Sequence, residues 1–540
     1  MTVYGAWIIG FALFYTAALI FVGQFAKRRA AQGGEGYFVG GRNFNRWMVC
    51  FCITGLFSGS TFIAVLELAY LQGVSAIWYG VAETIQILII AFVIIGPFRK
   101  KLVVTVTGLI GDRYGRSAKA LAGAITAFTF PMWSVATAIA FASALHVFTG
   151  ISLTMSVAFT AILLFIYLQA GGMWSIAFTQ TMNFGVFMLM FAIGIYAFFV
   201  NPGIEGLQQF AAQRPQMFDF DSVGLQVIVA WFGTFLVNVI LAQAAFQMAL
   251  SCKTPEEGQK GLKLAAWFGI PFTVCAILFG IAAAAVVPDG KLGLIALPQY
   301  LMQVLPAPLV GLFFLGVWAC ALSWGAPCQF SGATSLGRDV GSAVFPKASN
   351  DRLVTYTKWS LLLLTVLMIV FGLMRTEQSA WWNIFAWTAR NSATFAPVVA
   401  ALFWPQVTRA AVLASLGTGF ASGVTWYYLG GWHVSQFYLN IHPVWIGMSV
   451  NVITIIVMTL LFSAQSWKLR RVSEKPAHYA ALAVGAVLAG VVAVNFDVLH
   501  TKGLVGLLVF SALVALFISV IGILDTVKAS GARAAQNKAS

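Results

Sequence analysis

The chain has 540 residues, of which 60% are hydrophobic and only 9% are charged. Soluble domains carry roughly 25% charged residues. A soluble fold could not cover this much apolar surface, so the composition excludes soluble, disordered and disulfide-rich secreted proteins and indicates a membrane protein. The formal net charge of +15 does not predict nucleic-acid binding, because the basic residues cluster at the ends of apolar runs rather than along a stripe outside the membrane.

The hydrophobic runs predict an all-α polytopic membrane protein, since each spanning helix needs about 20 apolar residues. Fifteen runs qualify: 5–25, 47–72, 76–97, 120–148, 152–170, 176–200, 225–250, 263–287, 309–335, 355–374, 381–404, 408–430, 444–464, 479–497 and 504–527. The first run is too long for a signal peptide and lacks a small-residue cleavage site, which predicts a retained membrane helix.

Basic residues predict the orientation, because Lys and Arg concentrate in cytoplasmic loops. If the N-terminus lies outside, the inner segments hold 26 Lys and Arg, at 27–46, 99–119, 253–263, 338–358, 409, 468–475 and 528–538. The outer loops then hold four, which are Arg214, Lys291, Arg375 and Lys502. We therefore expect a multi-pass protein of the cytoplasmic (inner) membrane, with the N-terminus outside and the C-terminus in the cytoplasm.

Two of the runs are interrupted by polar and small residues at mid-membrane. The run 47–72 contains the Gly-, Ser- and Thr-rich stretch Thr54–Thr61, and the run 225–250 carries Asn238 and Gln243. Irregular backbone is tolerated in a membrane only where it lines a cavity, so the first interruption predicts a broken helix. We expect these two runs to be the first helices of two inverted five-helix repeats.

This interpretation divides the chain into five parts, with boundaries at the ends of apolar runs. The parts are an N-terminal extra helix with a cytoplasmic loop, the first five-helix repeat, the second five-helix repeat, four C-terminal peripheral helices and a short cytoplasmic tail, at 1–46, 47–200, 225–404, 405–527 and 528–540.

Several short motifs occur in register along residues 35–410. They are Tyr37–Arg42, Ser58–Ile63, Gly111–Gly115, Gly171–Gln180, Gln247–Thr254 with Gln259–Gly261, Ala319–Asp339 and Phe395–Trp404. In this order they resemble motifs of the sodium/solute symporter family, which includes sodium–glucose cotransporters and bacterial proline permeases. The resemblance implies a LeuT-like inverted-repeat transporter bundle. It also implies a secondary active transporter, a solute:cation symporter, for a small-molecule solute.

The resemblance further implies where a sodium ion binds. Family members hold the ion through backbone carbonyls of the first core helix and through a carbonyl and two adjacent hydroxyls of the eighth. The matched positions here are Thr54, Phe57, Cys320, Ser323 and Trp324. Trp324 replaces an expected hydroxyl, and an indole N–H cannot ligate a cation. Gln180 replaces an expected acidic residue. These departures weaken the implied sodium site and leave the coupling ion open between sodium and a proton.

Three ionisable residues fall inside predicted membrane helices, where such residues are costly and by default functional candidates. Glu67 follows the interruption of the first core helix, and Arg390 lies in the tenth core helix. Glu83 lies four residues after Tyr79 and therefore on the same helical face. The resemblance places Glu83 where sugar carriers contact their substrate. We expect Glu83 to bind the solute or to carry a proton, with Glu67 as a second coupling candidate.

These charges also have structural interpretations. Glu83 and Arg390 could form an ion pair, and Glu67 could sit near the outer interface. If Glu83 and Arg390 instead face one cavity, they could bind the two oppositely charged groups of a zwitterion such as an amino acid.

Other polar and aromatic residues are candidates for the solute site. Asn238 and Gln243 on the sixth core helix could bond to a solute, with interhelical hydrogen bonds as the alternative. Tyr79 could wall the site or simply pack. Together with Glu83 and Arg390, these residues suit a small polar organic solute, such as an amino acid, another zwitterion or an organic acid.

The sequence contains no nucleophile, phosphate-loop or metalloprotease motif, so we expect no enzymatic activity and no cofactor beyond a sodium ion or a proton.

The main hypothesis is a symporter that works by alternating access. The alternative is a transporter-like membrane sensor that reports the solute to a separate partner protein, since only about 13 residues follow the last run. The expected partners are the solute and membrane lipid; nucleic acid is not expected, and a protein partner is left open.

Overall fold

The computed structural model is built almost entirely of helices. It describes residues 2–30, 34–102, 104–169, 172–290, 292–374, 379–433, 436–462 and 466–526. The predicted tail 528–540, Gly171 of the fifth-helix motif, and the loop residues Lys291 and Arg375 lie outside these ranges. Two compact units make up the chain, Met1–Asn391 and Ser392–Ser540.

Within the described ranges, the first unit contains twenty α-helices, the last of which continues into the second unit. In chain order they are α1 (Val3–Ala30), α2 (Gly34–Val39), α3 (Arg46–Phe57), α4 (Ala64–Gln72), α5 (Ile77–Ile89), α6 (Ile95–Lys100), α7 (Val106–Tyr114), α8 (Arg116–Thr149), α9 (Leu153–Leu168), α10 (Gly172–Val200), α11 (Gly203–Gln213), α12 (Leu225–Asn238), α13 (Gln243–Ala249), α14 (Pro255–Val286), α15 (Gly293–Val304), α16 (Ala307–Cys320), α17 (Ala326–Ala333), α18 (Gly341–Val344), α19 (Asn350–Met374) and α20 (Ser379–Phe403). π-helical segments continue several of them, at Ser58–Ile63, Ile90–Ile94, Ala321–Gly325 and Thr334–Val340. Short 3₁₀ turns lie at Gly40–Arg42, Gly73–Ala76 and Pro215–Phe218.

The second unit adds five helices and a small antiparallel sheet in the part of the chain that is described. The helices are α21 (Arg409–Leu429), α22 (Pro443–Leu461), α23 (Pro476–Val494), α24 (Phe496–Thr501) and α25 (Val505–Ile523), with 3₁₀ turns at Tyr438–Asn440 and Val472–Glu474. Strand β1 (Trp467–Leu469) pairs with β2 (Leu524–Thr526). In this unit the Asn451 side chain of α22 donates hydrogen bonds to the carbonyls of Ala393 and Ser415, both at 2.9 Å.

Polar residues in the loops determine where several helices begin. Thr254 accepts a hydrogen bond from the backbone N–H of Glu257, and Pro255 occupies the first position of α14. Thr105 and Thr408 cap α7 and α21 in the same way. A side-chain oxygen at this position satisfies one of the backbone N–H groups that a helix start leaves without an internal partner.

The two interrupted runs take different forms in the structure. Residues Ser58–Ile63 stay helical, as a π-helical segment between α3 and α4, so the break predicted within Thr54–Thr61 is a widened turn and not a gap. Such turns form i→i+5 hydrogen bonds and are frequent at functional sites. The run 225–250 is broken, because α12 ends at Asn238, α13 begins at Gln243 and the two helices are bent by 46°.

The number of membrane-spanning helices depends on how the irregular helices are counted. Among the described residues, ten helices are long and apolar enough to cross a membrane, or eleven if α12 and α13 form one span. The fifteen predicted runs exceed this number for three reasons. Two runs merge in the helical stretch Arg46–Lys100, and α9 has only 16 residues. The helices α20 and α21 are long enough, but their polar residues and glycines make them less apolar.

The π-helical segment Ser58–Ile63 packs closely against its neighbours. A β-carbon placed on Gly59 would lie 2.2 Å from the β-carbon of Trp324 and 2.6 Å from Cγ2 of Thr137 in α8. On the same segment, the Phe62 ring lies 5.6 Å from the ring of Phe191 in α10, measured between centroids. The absence of a side chain at Gly59 therefore lets the first core helix approach the π-helical segment Ala321–Gly325.

We expect Gly59→Ala to destabilise the protein by about 1–3 kcal/mol, the typical cost of inserting a methyl group into a packed core. The clash is with a β-carbon, which cannot swing away without moving its backbone. The measurement is the melting temperature of the purified protein in detergent. Gly185→Ala in α10 is the matched control, because a β-carbon there meets no atom within 4 Å and alanine favours a helix. Equal melting temperatures of the two variants would contradict the close packing at Gly59.

Candidate functional site

A small cavity lies inside the first unit, among α3, α5, α8, α12, α13, α17, α20 and the π-helical segment Ala321–Gly325. Its volume is about 40 Å³. Its lining combines an acid, a base and two amides with aromatic and small apolar side chains: Leu56, Glu83, Gln86, Ile87, Phe130, Trp133, Phe235, Asn238, Ala242, Ala244, Ala245, Trp324, Cys328, Trp387 and Arg390. Such a volume holds a few water molecules, so an organic solute can enter only if the surrounding helices separate.

Glu83 lies on the face of α5 that borders the cavity, and it is buried. Its carboxylate contacts two hydroxyls of the π-helical segment Ser58–Ile63. The Ser60 hydroxyl lies 2.5 Å from Oε1, and the Thr61 hydroxyl donates to Oε2. Among the described ion pairs none involves Glu83. The predicted alternative of a Glu83–Arg390 ion pair is therefore not formed in this conformation.

Arg390 borders the same cavity from α20, and it too is buried. Its guanidinium donates from Nη2 to Oδ1 of Asn238, the last residue of α12, and lies 3.5 Å from Oδ1 of Asn391. The guanidinium carbon is 4.5 Å from the centre of the Trp133 ring, a distance at which the aromatic face stabilises a cation. The structure thus brings Glu83, Asn238 and Arg390, three of the predicted solute ligands, to one cavity.

Two tryptophans contribute polar atoms that the sequence did not single out as solute ligands. Trp133 of α8 and Trp324 both line the cavity and are buried. Their indole Nε1 atoms have no hydrogen-bond partner among the described residues. An unsatisfied buried donor is costly, so each N–H would be stabilised by an acceptor brought within its reach.

Tyr79 lies behind the cavity wall rather than in it. It is fully buried, and its ring centre lies 5.7 Å from that of Trp387 and 5.2 Å from that of Phe235, which both line the cavity. Gln86 lines the cavity and was not predicted. Its position three residues after Glu83, on the same helical face, is the sequence signal that could have identified it.

Gln243, the first residue of α13, is not among the cavity-lining residues. Its side-chain amide donates hydrogen bonds to the Ser331 carbonyl at 3.1 Å and to the Ser335 hydroxyl at 2.7 Å. This geometry is the interhelical hydrogen bond that the sequence left as the alternative to solute binding.

Glu67 in α4 caps the start of α20. Its carboxylate accepts hydrogen bonds from the backbone N–H of Ser379 at 3.1 Å, from the Ser379 hydroxyl at 2.9 Å and from the backbone N–H of Ala380 at 2.7 Å. A carboxylate is well placed there, because the N-terminus of a helix carries partial positive charge. Glu67 therefore joins two helices of the first unit and does not line the cavity.

The positions implied for sodium lie on α3, at the end of α16 and on the π-helical segment Ala321–Gly325. Thr54, Phe57, Cys320 and Ser323 are all buried. The Ser323 carbonyl accepts a hydrogen bond from Nε2 of Gln180 at 2.7 Å, and the Ser323 hydroxyl lies 2.6 Å from Nδ2 of Asn183.

Asn183 also reaches two other helices. Its Nδ2 lies 3.2 Å from the Ala319 carbonyl oxygen, and its Oδ1 accepts a hydrogen bond from the hydroxyl of Tyr15 in α1 at 2.6 Å. Asn183 was not among the candidates selected from the sequence. Among the described residues, no group of three His, Cys, Asp or Glu side chains is placed to hold a metal ion.

Two transporters are similar to this chain in sequence at low identity. The uncharacterized symporter YidK of Escherichia coli (strain K12) is 22% identical over 428 residues, which cover 73% of this chain and 74% of that protein. The human high affinity choline transporter 1 is 22% identical over 400 residues, which cover 69% of this chain and 67% of that transporter.

A solved structure shares the fold. It is the substrate-bound outward-open state of a Na⁺-coupled sialic acid symporter, which matches with a TM-score of 0.67 and 17% sequence identity. The match covers 85% of this chain and 99% of that chain. It confirms the predicted fold, an all-α, LeuT-like inverted-repeat transporter bundle.

The sequence model of the sodium:solute symporter family matches residues 37–419. This range contains all the motifs that carried the resemblance and every candidate site residue from Thr54 to Arg390. The match over most of the chain confirms the resemblance and identifies a cation-coupled, multi-pass membrane transporter of small solutes. The chain belongs to the sodium:solute symporter family.

Proposed function

We propose that this protein is a secondary active symporter for a small solute that carries a carboxylate, such as an organic acid or an amino acid. The observation that supports this proposal is the placement of Glu83 and Arg390. Both are buried and line one cavity, and Glu83 does not pair with Arg390. Ionisable side chains inside membrane helices are costly and are retained mainly for transport.

Arg390 supplies the carboxylate-binding end of the cavity in this proposal. A guanidinium matches a carboxylate with two parallel hydrogen bonds. The indole N–H groups of Trp133 and Trp324, which lack partners among the described residues, add donors but no acceptors. A cavity rich in donors favours a solute rich in acceptor oxygens over an uncharged or purely cationic one.

Glu83 carries the coupling proton in this proposal. Ser60 has a single hydroxyl proton, and its oxygen lies 2.5 Å from Glu83 Oε1 and 2.9 Å from the Leu56 carbonyl oxygen. When Glu83 is ionised, Ser60 donates to it; when Glu83 is protonated, the carboxyl can donate to Ser60, which then donates to Leu56. Both protonation states are thus satisfied by the same set of atoms, as a proton carrier requires.

Transport requires the cavity to open, because about 40 Å³ is too small for an amino acid. We place the moving parts in the two inverted five-helix repeats, 47–200 and 225–404, whose rocking gives alternating access in this fold. The charge bias of the loops supports a protein of the cytoplasmic membrane with its N-terminus outside.

The names of the relatives do not select a solute. The human relative is a choline transporter and the structural neighbour is a sialic acid symporter, so one name denotes a cation and the other an acid. The Arg390 guanidinium and the indole N–H groups of Trp133 and Trp324 therefore carry more weight than similarity, and they favour the acid.

We expect Arg390→Lys to weaken solute binding at least about tenfold, which corresponds to about 1.4 kcal/mol. Lysine keeps the charge but loses the planar pair of donors. The measurement is the shift in melting temperature of the purified protein, first against a panel of amino acids and short organic acids and then as a titration with the best ligand. Arg214→Lys, at an exposed arginine after α11, is the matched control and should bind as the unaltered protein does.

A panel in which only cations or uncharged compounds stabilise the protein would contradict the carboxylate assignment. So would an unchanged dissociation constant in Arg390→Lys. Binding without any flux in proteoliposomes would instead favour the alternative, a sensor that reports the solute to a partner protein.

We expect Glu83→Gln to abolish accumulation of solute driven by an inward proton gradient, while exchange between equal internal and external solute pools continues. Glutamine mimics the protonated carboxyl and cannot release a proton. The measurement is uptake of labelled solute into proteoliposomes without sodium, with a protonophore to collapse the gradient. Glu205→Gln, at an exposed glutamate of α11, should accumulate solute normally.

Continued accumulation by Glu83→Gln would exclude Glu83 as the proton carrier. Loss of both exchange and binding would favour the other role considered for this residue, in which Glu83 pairs with the ammonium group of a zwitterion.

A further inference from the structure

The gap between α3 and the π-helical segment Ala321–Gly325 is filled by a side-chain amide. A β-carbon placed on Gly55 of α3 would lie only 1.9 Å from Oε1 of Gln180. At its other end the same amide donates from Nε2 to the Ser323 carbonyl at 2.7 Å. Gln180, which comes from α10 and is buried, therefore spans the space between the two helices that the resemblance implies for sodium.

A second amide occupies the neighbouring acceptors. Nδ2 of Asn183 lies 2.6 Å from the Ser323 hydroxyl and 3.2 Å from the Ala319 carbonyl oxygen. Asn183 follows Gln180 by three residues, so both side chains leave α10 on the same face. The hydroxyl of Tyr15, which donates to Oδ1 of Asn183 at 2.6 Å, directs the N–H end of this amide toward α16.

These contacts leave a poor site for a cation. An amide N–H and a metal ion compete for the same oxygen lone pairs, and the partial positive charge of two N–H groups repels a cation brought between them. The resemblance expects sodium-binding hydroxyls at positions 323 and 324. Trp324 has no lone pair to offer, and the Ser323 hydroxyl oxygen already accepts a hydrogen bond from the Asn183 amide. The remaining side-chain oxygen, Gln180 Oε1, accepts no hydrogen bond among the described residues, but one neutral oxygen does not replace the several oxygen ligands that a hard cation needs.

We infer that the amide groups of Gln180 and Asn183 take the place of the sodium ion in this protein. They connect α10 to α3 and to the π-helical segment Ala321–Gly325 without an ion, as neutral hydrogen bonds that are present whether or not sodium is. The inference goes beyond the proposed symport, since it concerns the ion position and not the solute.

The first test measures the melting temperature of the purified protein without solute, in sodium, potassium or N-methyl-D-glucamine chloride at equal ionic strength. We expect the same melting temperature in all three salts. A saturable rise in sodium alone, which Ser323→Ala removes, would overturn the inference, because ligand binding to the native state must raise stability by mass action.

The second test restores the missing oxygen groups. The double variant Gln180→Asp, Trp324→Ser replaces a donor amide by a carboxylate and an indole by a hydroxyl. We expect it to melt several degrees higher in sodium than in potassium, with saturation, and to bind radioactive sodium that the unaltered protein does not bind. Gln208→Asp, at an exposed glutamine of α11, is the matched control and should show no sodium response.

A double variant that melts like the unaltered protein in potassium yet shows no response to sodium would overturn the role assigned to Gln180, since its amide would then not be what excludes the ion. If the double variant does not fold, the salt comparison on the unaltered protein decides alone. Neither measurement uses a solute, so their outcome is separate from that of the proton-driven uptake.

Discussion

A polar group buried in this bundle can gain a hydrogen bond only from the protein itself, because lipid offers none. The charged groups that line the cavity find partners on other helices. Glu83 of α5 bonds to the π-helical segment Ser58–Ile63, and Arg390 of α20 bonds to Asn238 at the end of α12. These two contacts join helices and also involve residues that line the cavity, so a change at either of them alters packing and chemistry together.

Three of the irregular stretches of backbone either line this cavity or contact a residue that lines it. Ser60 belongs to one π-helical segment and Trp324 to another, and Asn238 ends the helix before a sharp bend. Regular helices use their backbone groups internally, whereas widened or broken turns release some of them and change the direction of the side chains. The proposed mechanism thus places the contacts with the solute and with the coupling proton at irregular turns. At these turns the helices can rearrange while losing the fewest regular backbone hydrogen bonds.

The amino-acid sequence was sufficient to predict the class of fold and part of the cavity. Composition and run length indicated a helical membrane protein, and motifs in register identified the family. Glu83, Asn238 and Arg390 could be selected because burying an ionisable or amide group in a membrane helix costs free energy, so such a group is a candidate for a function. The form of the interruption at Ser58–Ile63 was not predictable, because glycine, serine and threonine permit both a gap and a π-helical turn.

Partners between helices could not be predicted at all. Gln243 and Asn238 are amides on the same interrupted run, yet one bonds to Ser331 and Ser335 while the other lines the cavity. The difference depends on how each helix is rotated about its axis, which local sequence does not determine. Asn183 was missed for the same reason, since a single amide in an apolar helix gives no indication of which neighbour it faces.

The hydrogen bond between Tyr15 and Asn183 has a consequence for how the protein is assembled during synthesis. The two residues are separated by 168 positions, so α1 enters the bilayer long before α10 has left the ribosome. Until then the Tyr15 hydroxyl lacks its native partner, which is costly for a polar group in an apolar surrounding. The side-chain hydrogen bond that joins α1 to α10 can therefore form only after α10 has been made.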